Sequence, residues 1–217
     1  MHPLNHAQAA QRMVRTQLRP RGVRDPAVLE AMQHVERHRF IPGLPPEQAY
    51  GDHALPTAEG QTISQPYVVA HMTELLQLEP GMRVLEVGTG SGYHTAVLAA
   101  LGAVVVSLER HATLADAARR RLAELCPQAS ITVVVGDGSL GYAAEAPYDR
   151  ILVAAAAPRL PEALDAQLAA QGRMVIPLGD RHGQVLAVFE RRGDELLRRD
   201  DLPCRFVPLI GQDAWPG

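Results

Sequence analysis

The chain has 217 residues, 47% of them hydrophobic and 21% charged, with a formal net charge of −3. Such a chain can bury a core within one domain, and its composition excludes a disordered protein. The slight negative charge gives no overall pull toward nucleic acid, so no nucleic-acid partner is expected. Two cysteines, Cys126 and Cys204, are too few for a disulfide framework or a zinc site. No H-E-x-x-H spacing occurs among the nine histidines, and no metal is expected. Met1–Arg19 lacks the apolar core of a signal peptide, and the most apolar run, Ala96–Leu108, is too short for a membrane span. A cytoplasmic monomer with no membrane contact is the expectation.

Asn5–Arg19, polar with apolar positions at Met13, Val14 and Leu18, reads as a surface helix. Asp25-Pro26 supplies an N-cap and a first-turn proline for a second helix, whose apolar face is Val28, Leu29, Met32 and Val35. Phe40-Ile41-Pro42 ends that unit, and Gly43–Pro46 is a loop. Tyr50–Gln65 is too polar and too broken for a core element. It leads into Pro66, where Val68, Val69, Met72, Leu75 and Leu76 mark an amphipathic helix. Ser64 or Gln65 therefore stands at a helix start, where unpaired N–H groups and the macrodipole favour an anion such as a carboxylate. On composition alone, Thr62 and Ser64 read first as ordinary hydroxyls that cap the helix and tie down the loop.

Val84–Gly92 reads V-L-E-V-G-T-G-S-G, with Met82–Val87 a doubly buried strand and Tyr93–Leu101 a helix. Gly88, Gly90 and Gly92 alternate. The dinucleotide fingerprint needs glycine three positions beyond Gly90, where Tyr93 stands. Glu109 ends the next strand, Val104–Leu108, and is placed to accept the two hydroxyls of a ribose. After a helix at Leu114–Leu125 and a strand at Ile131–Val135, Gly136-Asp137-Gly138 turns at a strand's carboxyl end, within range of an adenine amino group. A fourth strand covers Ile151–Ala155. A helix from Pro158–Pro161 to about Ala170, stopped by Gly172, and strands at Met174–Pro177 and Val185–Glu190 complete the pattern. The last two strands form an antiparallel hairpin. The expected fold is α/β: a doubly wound, mostly parallel sheet with a C-terminal antiparallel hairpin, Rossmann-like, preceded by an N-terminal helical extension. It forms one domain, 1–217, with residues 1–80 the helical and substrate-loop region and 81–217 the cofactor core.

The run E-x-G-x-G-x-G resembles the common form in class I S-adenosylmethionine-dependent methyltransferases. Three stretches in order, G-Q-T-I-S-Q-P at Gly60–Pro66, L-E-V-G-T-G-S-G-Y at Leu85–Tyr93 and R-F-V-P-L at Arg205–Leu209, resemble the protein-L-isoaspartate O-methyltransferase family. That resemblance spans roughly Met13 to Ile210. It implies a repair enzyme that methylates the free α-carboxylate of L-isoaspartyl residues in damaged proteins and peptides, with S-adenosyl-L-methionine as donor. The methyl ester then recyclises through a succinimide. The resemblance makes Ser64 the active-site serine, a donor to the acceptor carboxylate, with Thr62 and Gln65 shaping the same pocket. Val207, Pro208 and Leu209 wall the peptide site, or close the fold as an edge strand. Glu86, Gly88, Thr89, Gly90, Gly92, Glu109, Asp137 and Gly138 form the cofactor set. Two departures stand out: Thr57-Ala58 where the family often has isoleucine-glycine, and Ala154 where threonine is common. Two other readings keep the cofactor: a carboxyl methyltransferase with a dedicated peptide or small-molecule acceptor, and a non-catalytic S-adenosylmethionine-binding protein.

Overall fold

A computed structural model describes residues 4–216. Residues 1–3, which begin both the Met1–Arg19 stretch and the expected 1–217 domain, lie outside the described residues, as does Gly217. Asn5 caps α1 (His6–Met13) reciprocally with Gln8, each side chain accepting from the other's backbone N–H. The helix runs on through a π-helical turn, Val14–Leu18, and a 3-10 turn that ends at Gly22. Although it reads as a surface helix, this segment buries Ala9, Ala10, Met13, Val14 and Leu18. Its polar residues form only the outer face. α2 (Pro26–His34) starts at the proline, with Asp25 accepting from the Ala27 and Val28 N–H groups.

Two short helices follow, α3 (Arg37–Phe40) and α4 (Pro46–Ala49). The polar stretch after them is more ordered than its composition suggests. It holds a small antiparallel pair, β1 (Leu55–Pro56) with β2 (Thr62–Ile63), anchored by buried Leu55 opposite buried Ile63. α5 (Pro66–Leu76) begins directly after it, with Gln65 as N-cap residue.

The remaining chain winds β3 (Arg83–Val87), α6 (Tyr93–Ala100), β4 (Val104–Glu109), α7 (Ala112–Leu125), β5 (Ile131–Val135), β6 (Tyr148–Val153), α8 (Glu162–Ala166), β7 (Leu168–Gly179), β8 (Gln184–Arg192) and β9 (Glu195–Cys204). Their order in the sheet is β5-β4-β3-β6-β7-β8-β9. β5 to β7 are parallel, and β8 and β9 run antiparallel to their neighbours. Val84 points to one face, against Met72 and Leu76 of α5, while Leu85 and Val87 point to the other, toward Leu164 of α8. The chain leaves β3 in one direction through β4 and β5, then returns to lay β6 on its other side. This reversal opens a crevice at the carboxyl ends of β3 and β6.

Two expectations are corrected. The helix after Pro161 ends at Ala166, not near Ala170, and the chain is already strand at Leu168. Gln167 makes the difference. Its carbonyl accepts the Tyr148 N–H at 2.9 Å, and its side chain binds the Leu140 carbonyl and the Tyr142 N–H. These three bonds draw the chain out of the helix and onto the sheet beside β6. The C-terminal antiparallel part also has three strands rather than a two-strand hairpin, since β9 adds to β8.

The far end of α5 is clamped. Arg150 Nε donates to the Leu76 carbonyl at 2.5 Å and Arg173 Nη1 to the Leu75 carbonyl at 3.0 Å. Both cations satisfy orphan carbonyls at a helix C-terminus. With that end fixed, the start of α5 has a defined position over the crevice. Among the described residues no helix is long and apolar enough to cross a membrane.

Candidate active site

The glycine turn joins β3 to α6 at the mouth of the crevice. Gly88, Gly90 and Gly92 have φ of +98°, +53° and +87°, a region L side chains rarely adopt, which explains three glycines in five positions. A Cβ on Gly90 would meet nothing within 4 Å. At this point the bare backbone faces an open cavity. Both Gly88 and Thr89 donate backbone N–H bonds to the Leu108 carbonyl, tying the turn to β4. Glu109 is 5% exposed, and its carboxylate accepts from the Gly90 N–H at 2.9 Å and the His111 N–H at 3.0 Å. Those two bonds fix the carboxylate at the cavity wall with lone pairs still free for hydroxyl donors.

Glu86 does not reach this wall, contrary to its place in the expected cofactor set. It is fully buried under the turn, where its Oε2 accepts from Thr95 Oγ1 at 2.5 Å and Ser107 Oγ at 2.6 Å. Ser107 in turn bonds Thr89 Oγ1 at 2.6 Å. Burial raises the Glu86 pKa to about 7, against the opposing pull of the Ser107 and Thr95 hydroxyls. Its Oε1 has no partner among the described residues. Glu86 thus supports the turn from beneath. Gly92 likewise packs inward, where a Cβ would crowd Leu122 at 3.3 Å.

At the end of β5, Gly138 lines the cavity and admits no side chain, since a Cβ would lie 2.4 Å from Val87 Cγ1. Asp137 beside it is turned to other partners: Oδ1 accepts from the Ser139 N–H and hydroxyl, and Oδ2 from the Gln212 N–H. Burial alone would raise its pKa, but these bonds outweigh it and hold the carboxyl below the usual range. It braces the C-terminal segment against the end of β5.

The facing wall comes from the loop before α5. Thr62, Ile63 and Ser64 line the cavity opposite Gly88–Gly90. The Ser64 carbonyl accepts from Arg37 Nη2 at 2.8 Å, and the Ser64 hydroxyl has no partner among the described residues. Arg37 is fully buried with no carboxylate partner among the described residues, its Nε bound to the Ala49 carbonyl at 2.9 Å and its guanidinium 4.8 Å from the Tyr93 ring centroid. Gln65 is directed elsewhere, donating to Asp52 Oδ1 at 2.8 Å and to the Asp52 carbonyl. It lines a second groove with Arg21, Tyr67, Arg205 and Phe206. Cavity and groove share Thr62, Ser64, Ala154 and Val207, so they meet along a wall that includes Ser64.

Val207, Pro208 and Leu209 line the cavity from the C-terminal side. They form no edge strand. Ala156 N–H bonds the Val207 carbonyl and Leu209 N–H bonds the Ala156 carbonyl, which pins the segment across the end of β6. At the two departures, Ala154 lies on the shared wall, and the left-handed conformations near Ala58 fall on Glu59 and Gly60 instead. Sequence reasoning missed Arg37, Ser91 and His94. Arg37 sits in the charged run E-R-H-R, which reads as solvated surface, and only the fold brings the Ala49 and Ser64 carbonyls to it. Among the described residues no three His, Cys, Asp or Glu side chains are grouped to hold a metal.

The sheet, with its glycine turn and an acidic residue ending the next strand, is that of a class I methyltransferase, and solved methyltransferases superpose on it. The family model described as protein-L-isoaspartate(D-aspartate) O-methyltransferase matches residues 8–214, and the chain belongs to that family. It is 53% identical to the protein-L-isoaspartate O-methyltransferase of Methylorubrum extorquens over 95% of this chain and 90% of that one. With the Methanoregula boonei protein of the same name it shares 48% identity over 98% of each chain. A solved protein-L-isoaspartate O-methyltransferase superposes with a TM-score of 0.85 at 29% identity, over 94% of this chain and 67% of that one. A solved Plasmodium falciparum chain described under the same name, in complex with S-adenosyl-L-homocysteine, gives 0.79 at 25% identity over 95% and 99%.

Proposed function

We infer that the protein transfers a methyl group from S-adenosyl-L-methionine to the free α-carboxylate of L-isoaspartyl residues in damaged proteins and peptides. The methyl ester recyclises through a succinimide, returning part of the population to normal aspartate. The observation that carries this reading is the meeting of cavity and groove at Ser64. One space suits the donor, the other a peptide, and Ser64, whose hydroxyl has no partner among the described residues, lines both.

The cavity suits the donor. Gly90 leaves open space where a side chain would stand, Gly138 tolerates none, and Glu109 presents an oriented carboxylate for the ribose hydroxyls. The sulfonium of the bound donor supplies an electrophilic methyl group without metal or acid. The chain's own residues therefore have a limited task. An α-carboxyl with a pKa near about 3.5–4 is ionised at neutral pH, so no general base is needed. Ser64 donates a hydrogen bond to one carboxylate oxygen and leaves the other free to attack. Arg37 holds the Ser64 backbone at the required distance, and Ile63, Val207 and Leu209 exclude water from the reacting oxygen. Alignment of this kind contributes up to about 7–11 kcal/mol in favourable cases.

Glu109 takes the ribose, and Asp137 with Gly138 borders the adenine, the backbone acting where the Asp137 carboxylate is already engaged. Thr62, Gln65 and residues 207–209 border the peptide. The protein acts as a cytoplasmic monomer of one domain, without nucleic-acid or membrane partners. Incubation with an isoaspartyl peptide and S-adenosyl-L-methionine tests the activity, read as methanol released at alkaline pH. Release is expected only when both are present. Cofactor binding without any release contradicts the assignment.

A further inference from the structure

His94 stands apart from the residues assigned above to the donor and the acceptor. It is the second residue of α6, only 9% exposed, and it lines the cavity together with Val69, Tyr93 and Ser64. Its neighbours determine where its proton sits. The Thr73 hydroxyl on α5 has a single proton and donates it to the Val69 carbonyl at 2.8 Å. Toward His94 Nε2, 2.9 Å away, the same hydroxyl must then accept, so Nε2 carries the ring proton. Thr73 is fully buried, which leaves no room for a competing water. Burial also pushes the imidazolium pKa down to about 3, so the ring is neutral at physiological pH. Nδ1 is left as a bare acceptor. It has no partner among the described residues, yet it is not sealed from solvent and belongs to a cavity-lining side chain.

We propose that His94 Nδ1 accepts a hydrogen bond from the α-ammonium of the methyl donor's amino-acid tail and so determines specificity for that end of the cofactor. This rests on the cofactor reading above. Glu109 reaches the turn from β4 at Gly90, whereas His94 is held against α5, the helix that Ser64 precedes. With the ribose at Glu109 and the reacting methyl facing Ser64, the tail extends on the α5 side. A lone pair there repels the tail's carboxylate and attracts its N–H groups. A neutral ring has no charge to oppose the ammonium, and the Thr73 bond prevents it from turning its donor inward.

The test is calorimetric titration with S-adenosylhomocysteine and with its analogue carrying hydrogen in place of the α-amino group. Wild-type protein is expected to prefer the amine-bearing ligand about tenfold or more. His94→Leu should cut that preference to about threefold or less while leaving the affinity for the desamino analogue unchanged. His94→Gln, which keeps a carbonyl acceptor, should restore most of it. Equal weakening of both ligands in His94→Leu, or an intact preference, overturns the inference and leaves the cofactor reading standing. Failure of wild-type protein to bind either ligand overturns the cofactor reading and the inference with it. If the variants do not fold, nitrogen NMR of the wild-type histidines decides. The His94 Nδ1 resonance should be that of an unprotonated nitrogen and should shift with S-adenosylhomocysteine but not with the desamino analogue. A protonated Nδ1, or equal shifts with both, contradicts the proposal.

Discussion

At Ser64 and Glu109 the two halves of the reaction can be separated by substitution. With the hydroxyl facing the acceptor as proposed, Ser64→Ala should lower turnover at least tenfold while cofactor affinity stays within about twofold. Calorimetry beside initial rates checks this, and a parallel loss of cofactor binding would make Ser64 structural. Glu109→Ala should act in the opposite order. Losing a charge-assisted hydrogen bond worth about 1.5–3 kcal/mol weakens cofactor binding roughly ten- to hundredfold. An unchanged dissociation constant would remove Glu109 from the ribose. Glu86 predicts a pH effect instead. Its folded pKa, about 7, exceeds the unfolded value of 4.5, so folding takes up a proton between those values. The stabilisation is fully present below pH 4.5 and is lost as pH rises through about 7. Relative to Glu86→Gln, which does not titrate, wild-type protein should lose about 2–3 kcal/mol between pH 5 and pH 8. Urea unfolding at the two pH values measures it, and a constant difference between the two proteins would contradict a buried, titrating Glu86.

At the scale of elements, Arg37 joins the N-terminal helices to the loop that carries Ser64. One guanidinium holds the carbonyls of Ala49 and Ser64 while packing on Tyr93, which starts α6. Arg37→Met removes donors from two carbonyls but also relieves a buried charge, so the fold should survive with reduced stability. The loop should lose its register over the cavity. The expected result is a fall of tenfold or more in kcat/KM for an isoaspartyl peptide, with cofactor affinity changed less than threefold. Equal losses in both would show that Arg37 serves the fold alone. The tether also explains why this half of the site was only partly legible in the sequence. Q-T-I-S-Q-P marks the loop, but nothing local says which distant carbonyls its neighbours bind. Likewise, Gln167 lies in a run with helical spacing, and its pull onto the sheet depends on Leu140, Tyr142 and Tyr148. Local pattern and tertiary hydrogen bonding disagree there, and the tertiary bonds win.

Across the whole molecule, the parallel half of the sheet was legible because its strands are apolar runs ending in turn residues at the cofactor edge. V-L-E-V-G-T-G-S-G marks the turn because only glycine suits its backbone. β9 escaped notice because E-L-L-R-R-D-D-L-P-C is exposed along much of its length and lacks an apolar run. Glu86 was misplaced for a related reason: spacing puts it beside the turn but does not say which face it takes. The fold explains how a mobile peptide carboxylate and a bound donor meet, since the reversal in strand order opens one cavity and α5 sets Ser64 across it. The most direct test of that account uses two peptides that differ only in whether one residue is L-isoaspartyl or L-aspartyl. Methylation of the isoaspartyl peptide is expected with a kcat/KM at least about a hundredfold above that of its twin. Comparable rates for both, or turnover of neither, would contradict it.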